Sequence, residues 1–325
     1  MKIPLSVLDL AVILEGKTAA NSFAGSLDLA RKIEKLGYNR YWLAEHHNME
    51  SIASSATAVL IGYIAGGTST IRVGSGGIML PNHAPLIVAE QFGTLASLYP
   101  GRIDLGLGRA PGTDQLTAMA LRRNRMETVA DFPEDIRQLQ TFFSVENKLS
   151  KVRAIPGEGS DVPIWILGSS TDSARLAAFL GLPYAFASHF APTHFTNAIR
   201  LYRQNFKPSE RLQQPYVMAC VNVVASETEQ EAQKISTSFL QLATGIVRGK
   251  TKPLPAPVES MNDIWNDFEE MAVKNMMAYT FVGEHTRVKK ELNAFVDEHS
   301  IDELMVVSHI FDHKARVRSY ELLTQ

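Results

Sequence analysis

Histidine is the side chain best suited to move protons near neutrality. Of the chain's nine histidines, five stand where an apolar run turns polar. His46 and His47 follow the run 40–44, His83 follows 71–80, His189 follows 184–187 and His309 follows 304–308. Asp9 and Glu45 supply acids at equivalent places, and Ser169, Ser170 and Ser188 supply hydroxyls. Arg109 directly follows the run 102–107, where a guanidinium suits an anion clamp. Three histidines with two acids raise the question of a metal. Adjacent residues on a continuing strand point to opposite faces, and neither HExxH nor HxH occurs, so no metal is expected.

Two glycine clusters bear on ligand binding. Val73-Gly74-Ser75-Gly76-Gly77 lies inside a strand pattern, which glycine weakens. Close approach of a flat ligand, unusual peptide geometry, or a bulge or packing constraint would each account for it. The run Gly106-Leu107-Gly108-Arg109-Ala110-Pro111 places proline where a dinucleotide turn needs its third glycine, so that motif fails. The segment Gly168-Ser169-Ser170-Thr171-Asp172 opens a helix. Its hydroxyls and N–H groups form either a phosphate cradle with Arg109 or a plain N-cap.

These residues need a frame. Strand-like runs occur at 3–9, 40–44, 71–80, 102–107, 163–167, 184–187, 216–224 and 304–308. Helical patterns separate them, at about 22–36, 55–65, 85–98, 114–143, 172–180, 193–205, 227–247 and 286–298. Eight strands alternating with helices predict a (β/α)₈ barrel over 1–325 as one domain. The competing doubly wound sheet lacks its glycine-rich turn after the first strand. Long crossovers follow the fourth and seventh strands. The second carries Lys252-Pro253-Leu254-Pro255-Ala256-Pro257, whose prolines favour extended backbone; a lid over about 248–262 or a solvated linker fits it.

Composition narrows the class. Lys plus Arg total 32 against 34 Asp plus Glu, a formal charge of −2, so neither nucleic acid nor an anionic membrane is an expected partner. The cluster Arg122, Arg123 and Arg125 is too small to alter this. One cysteine, Cys220, excludes an intrachain disulfide and fits a reducing, cytoplasmic setting. No apolar run reaches the ~18 residues of a membrane span, and Asp9 interrupts the apolar N-terminal stretch, which reads as a buried first strand rather than a signal peptide.

The stretches YWLAEHHN (41–48), IRVGSGGIMLPNHAPLIVAEQFGTL (71–95), GRIDLGLGRAPG (101–112), IWILGSS (164–170) and GLPYAFASHF (181–190) together resemble the bacterial luciferase-like flavin monooxygenases. The resemblance is to bacterial members other than the light-emitting subunits. It implies a barrel holding FMN at the C-terminal face, with His46 as the catalytic histidine. A flavin-ring contact at a non-proline cis peptide falls on Gly76-Gly77, and Glu45 and Met79 fall beside it. Arg109, Ser169 and Ser170 fall at the flavin phosphate, and Ser188 near the flavin. It further implies reduced FMN and O₂ as co-substrates and oxygen transfer through a flavin hydroperoxide. A separate NAD(P)H:flavin reductase would be a partner, and a homodimer would form through helices around 52–67. Gly108 replaces a reactive cysteine of the light-emitting subunits, and Gly168 an acidic residue, which speaks against bioluminescence. A deazaflavin- or nicotinamide-linked reductase and a non-catalytic flavin-binding protein are the alternatives on the same barrel.

Overall fold

The computed structural model describes residues 3–110, 112–121 and 131–325. Pro111 and the Arg122, Arg123 and Arg125 cluster lie outside the described residues. The strands are β1 (Leu5–Asp9), β2 (Arg40–Leu43), β3 (Arg72–Ser75), β4 (Ile78–Met79), β5 (Ile103–Gly108), β6 (Ile164–Gly168), β7 (Tyr184–Phe186), β8 (Val217–Ser226), β9 (Thr280–Glu284) and β10 (Glu303–Val307). All pairings are parallel, in the order β10-β1-β2-β3-β5-β6-β7-β8, and β8 pairs back to β10. That closes an eight-stranded barrel. The helices are α1 (Ala19–Lys35), α2 (Thr57–Gly66), α3 (Pro85–Leu98), α4 (Gln115–Leu121), α5 (Phe132–Phe143), α6 (Thr171–Leu180), α7 (Phe195–Asn205), α8 (Glu229–Val247), α9 (Asp267–Met276), α10 (His285–His299) and α11 (His313–Thr324). Helices fall between successive strands of the ring, as in a TIM barrel.

Two departures from the sequence pattern matter. The expected third strand, 71–80, is two pieces, because the Gly76-Gly77 peptide is cis; β4 resumes beside β5, with Ile78 opposite Leu107. The second departure is an unexpected pair, α9 and β9, in the crossover after β8. β9 pairs with Asn222–Ser226, beyond the stretch of β8 that pairs with β7, and lies outside the closed ring.

Alternate residues of the strands face opposite layers. Val7, Tyr41, Val73, Leu105 and Ile166 pack outward under the helices. Leu8, Trp42, Trp165, Ala185, Met218 and Met305 form a separate cluster that fills the barrel. Trp42 and Trp165 meet edge-on at 5.2 Å. Facing them, β3 and β5 carry glycine. A Cβ at Gly74 would come 2.9 Å from the Trp42 indole nitrogen, and one at Gly106 would come 2.2 Å from the Ser75 carbonyl oxygen. Packing density is therefore one reason for these glycines.

The N-terminal end of the barrel is closed by charge. Arg40 pairs with Asp104 at 2.7 Å and with Glu303 at 2.9 Å, and Arg72 pairs with Asp104 at 2.5 Å. Trp42 Nε1 also donates to Asp104, at 3.1 Å, and the Tyr216 hydroxyl to Glu303, at 2.9 Å. Both carboxylates are fully buried. This floor leaves the opposite, C-terminal end as the open mouth.

Candidate active site

The loop after β2 brings three polar residues to the mouth. Glu45 is 1 % exposed, and both of its oxygens are engaged. Oε1 accepts from His47 Nε2 and His83 Nε2, each at 2.9 Å, and Oε2 accepts from the Met79 backbone N–H at 3.1 Å. Burial pushes this carboxyl up, but the His83 and His47 hydrogen bonds outweigh it and hold the group below its ordinary value. Glu45 thus fixes the turn after β4 and ties down two histidines, and His83 is held there by it.

His46 points elsewhere. Its Nδ1 lies 3.3 Å from the Gly112 carbonyl oxygen. A carbonyl only accepts, so Nδ1 carries the proton and Nε2 keeps its lone pair. Burial lowers the pKa of the ring, and the Gly112 bond and Glu45 only partly restore it. At neutral pH His46 is a base.

Across the mouth stand His189, after β7, and His309, after β10. Burial, together with His309 and His46, lowers His189 to about 3. Burial and the nearby Arg316 lower His309 to about 4. The Nδ1 atom of His189 is enclosed and has no hydrogen-bond partner among the described residues. His309 stacks on Phe239 of α8 at 5.4 Å. Three neutral imidazoles therefore line one opening. Sequence reading noted the last two as strand-end histidines without giving them a role, because their mutual approach depends on three separate loops.

Arg109 follows β5 and reaches the start of α6, where its NH1 lies 3.7 Å from Asp172 Oδ2. Both side chains are well exposed, so this pair is weak and leaves the guanidinium available. Ser170 caps α6 by accepting from the Ser173 N–H at 3.4 Å. The Ser169 hydroxyl has no partner among the described residues. The two readings of this segment therefore divide: Ser170 is a cap, and Ser169 and Arg109 flank a helix N-terminus suited to an anion. Ser188 is buried and donates to the Cys220 carbonyl at 2.6 Å, keeping acceptor capacity. The side chain of Met79 covers Gly108 and Gly112; a Cβ on Gly108 would come 2.7 Å from its sulfur, so a larger residue there requires Met79 to shift.

Asp9 faces away from the mouth. It accepts from Ser26 at 2.5 Å, from the Tyr41 hydroxyl, from the Ala11 N–H at 3.0 Å and from Arg316 at 2.8 Å. Burial pushes its pKa up, and Arg316 and the hydroxyls pull it down to about 2. Its work is to join β1 to α1 and α11. Among the described residues, no group of three His, Cys, Asp or Glu side chains could hold a metal.

The chain matches the model of the luciferase-like monooxygenase family over residues 3–303. It belongs to that family. The luciferase-like relatives include the Bacillus subtilis protein YvbT, 56 % identical over 98 % of this chain and 95 % of its own. An Escherichia coli K12 luciferase-like monooxygenase is 52 % identical over 98 % of this chain and 96 % of its own. Among solved structures, apo-MsnO8 superposes with a TM-score of 0.88 at 35 % identity, covering 99 % of this chain and 97 % of that one. The chain is thus a flavin-type oxidoreductase by family, with its candidate site at the C-terminal mouth.

The buried histidines carry a consequence for stability. An unfolded histidine titrates near 6.5, whereas His189 and His309 resist protonation until about 3 and 4. Below pH 6.5 the unfolded chain therefore binds more protons than the folded one, and stability falls as the pH is lowered, by up to ~1.4 kcal/mol per pH unit per histidine. Asp9 adds a similar loss only below about pH 4. Urea midpoints measured from pH 7 to 4 should fall from about 6.5 downward, with a shallower slope in His309→Gln.

Proposed function

We propose that the chain is an FMN-dependent monooxygenase that uses reduced flavin and O₂ to oxidise a small organic substrate, the reduced flavin coming from a separate NAD(P)H:flavin reductase. The observation that carries this reading is the pair Arg109 and Ser169, free of strong partners among the described residues and set at the N-terminus of α6. A phosphate monoester there meets a guanidinium, a hydroxyl and helix N–H groups. The residues of the mouth fit the rest of the group. At Gly76 and Gly77 a Cβ would meet Leu8 and the Gly106 carbonyl, so packing requires these glycines, and the His189 Nδ1, without a partner among the described residues, is open to a bound ligand.

When bound, reduced flavin supplies the electrons that activate O₂ for insertion into the substrate. The chain does the remainder. His46 offers its Nε2 lone pair to a proton released during oxygen transfer. Glu45 fixes the turn that carries Met79 and the approach to the glycine pair. Ser188 offers its remaining lone pair within the mouth. The proline-rich segment acts as a lid that excludes water. Its support is structural order. Leu254, the one residue between Pro253 and Pro255, donates to the Ile13 carbonyl and accepts from the Glu15 N–H, each at 2.8 Å. Val258 and Ala256 are held by the side chains of Thr237 and Gln241 on α8, at 2.8 and 3.0 Å.

Anaerobic titration with FMN, oxidised and photoreduced, followed by admission of O₂, tests the reading. Binding of reduced FMN and a substrate-dependent uptake of O₂ support it. Failure to bind either form removes it and favours a deazaflavin coenzyme. Arg109→Ala should weaken FMN binding about 10- to 100-fold, the worth of a charge-assisted hydrogen bond, and leave riboflavin binding unchanged. Equal losses for both ligands would place Arg109 away from the phosphate.

The protein is further proposed to be a cytoplasmic homodimer that acts on small molecules. Its support is α2, apolar on every side: Leu60, Ile61 and Ile64 face the barrel, while Val59 is 72 % exposed and Tyr63 45 %. Ile87 and Leu98 of the neighbouring α3 are exposed as well. The double variant Val59→Lys, Leu98→Lys should elute as a monomer with light-scattering mass near 36 kDa, close to the chain's 35.9 kDa. Among the described residues no helix is long and apolar enough to cross a membrane.

A further inference from the structure

A cavity of about 220 Å³ lies beside the mouth, between the loop after β1, the loop after β10 and the Leu254 strap. Val12, Leu14, Leu254, Ile310 and Phe311 supply its apolar wall, beside polar side chains of α1 and of Ser308 and His309. Whole-ligand sites span about 300–1,000 Å³, so this space suits part of a ligand rather than all of one. At ~30 Å³ per water-sized group it holds about seven such groups.

The electrostatics of the lining select the class of that part. Two basic residues of the lining are already compensated: Arg316 pairs with Asp9 at 2.8 Å and His313 with Asp28 at 2.7 Å. Lys17 is exposed at the rim. His309 is held neutral by burial. Nothing inside calls for an anion, and an isolated charge would be costly there. His309 also belongs to the histidine group of the mouth, since it opposes the protonation of His189. The cavity and the reacting space therefore meet at one side chain.

We infer that this cavity is the subsite for an uncharged, apolar arm of the substrate, about six to eight carbons long, with His309 at its neck and the Leu254 strap as its roof. The assignment of the arm to a substrate rests on the monooxygenase reading; the cavity's affinity for an alkyl chain does not. The strap then has two tasks, sealing the mouth and completing the arm's wall. Both follow from one bridge between Leu14 and Leu254.

Gly25 of α1 provides the test. It lines the cavity, and a Cβ built on it meets only His313, at an ordinary 3.5 Å. Gly25→Leu therefore fills the space from a helix position that tolerates a side chain, and Leu14→Ala enlarges it. The probes are straight-chain 2-alkanones from four to eleven carbons, titrated calorimetrically into the protein without flavin. Wild-type affinity should rise about fourfold per methylene and level off when the cavity is full. In Gly25→Leu the plateau should arrive about two carbons earlier, and in Leu14→Ala later. Identical chain-length profiles in all three proteins, or no binding by the wild type, would overturn the inference. FMN binding measured in parallel separates the two readings. A chain-length plateau that shifts with Gly25→Leu in a protein unable to bind FMN would keep the cavity and discard the flavin.

Discussion

A His46→Ala variant should bind reduced FMN as the wild type does and lose about 10²- to 10⁴-fold in turnover, the range attributable to one positioned acid–base group. In that reading Arg109 and Ser169, which would hold the phosphate, lie after β5 and β6, whereas His46 sits after β2 and is held in place through Gly112. Binding and chemistry would thus fall to different walls of the barrel. Turnover is read as the substrate-dependent uptake of O₂ in the presence of reduced FMN. The wild-type rate should also show an acid limb. The ring must be unprotonated to accept a proton, and burial holds its pKa below the ordinary histidine value, so the limb lies on the acid side of where a free histidine would put it. An unchanged rate in His46→Ala, or an acid limb that survives the substitution, would assign the base elsewhere.

The second large effect concerns the other end of the barrel. Asp104→Ala should destabilise the fold by about 3–5 kcal/mol, because it leaves Arg40 and Arg72 buried with fewer counter-charges. It also removes the acceptor of the Trp42 indole N–H. Urea denaturation at pH 7 measures it. Asp104→Asn should cost less, since an amide still accepts from Trp42 and from one arginine. A change below 1 kcal/mol for Asp104→Ala would mean that water replaces the carboxylate in the floor.

How much of this was written in the sequence varies by element. The eight barrel strands were legible because parallel strands buried on both faces read as unbroken apolar runs, and β1, β5 and β8 are buried throughout. The strand β9 was not, because it is half-exposed and has a partner on one side only. The helix α9 carried a readable signal that went unused. Asn266 and Glu269 form a reciprocal capping box, the pattern that marks a helix start. The site's frame was legible where an apolar run stops at a polar residue, which set His46 and Arg109 at strand ends. It was not legible where function depends on what a side chain touches. Glu45 was placed beside the flavin, yet its oxygens bind His47, His83 and the Met79 N–H. His189 acquires meaning only through an enclosed nitrogen that no spacing rule reveals.

The ring of strands closes between β8 and β10, and β9 attaches outside that seam. Residues 227–284 are consequently an insert attached outside the ring. Their own small core, around Phe239, Ala243, Val273 and Met277, is separate from the barrel's, and they reach the mouth through Phe239 and Leu254. A lengthened or exchanged insert changes which molecules enter without reopening the barrel. Divergence in substrate preference can therefore proceed by replacing one segment, while the barrel and the residues at its mouth are inherited intact.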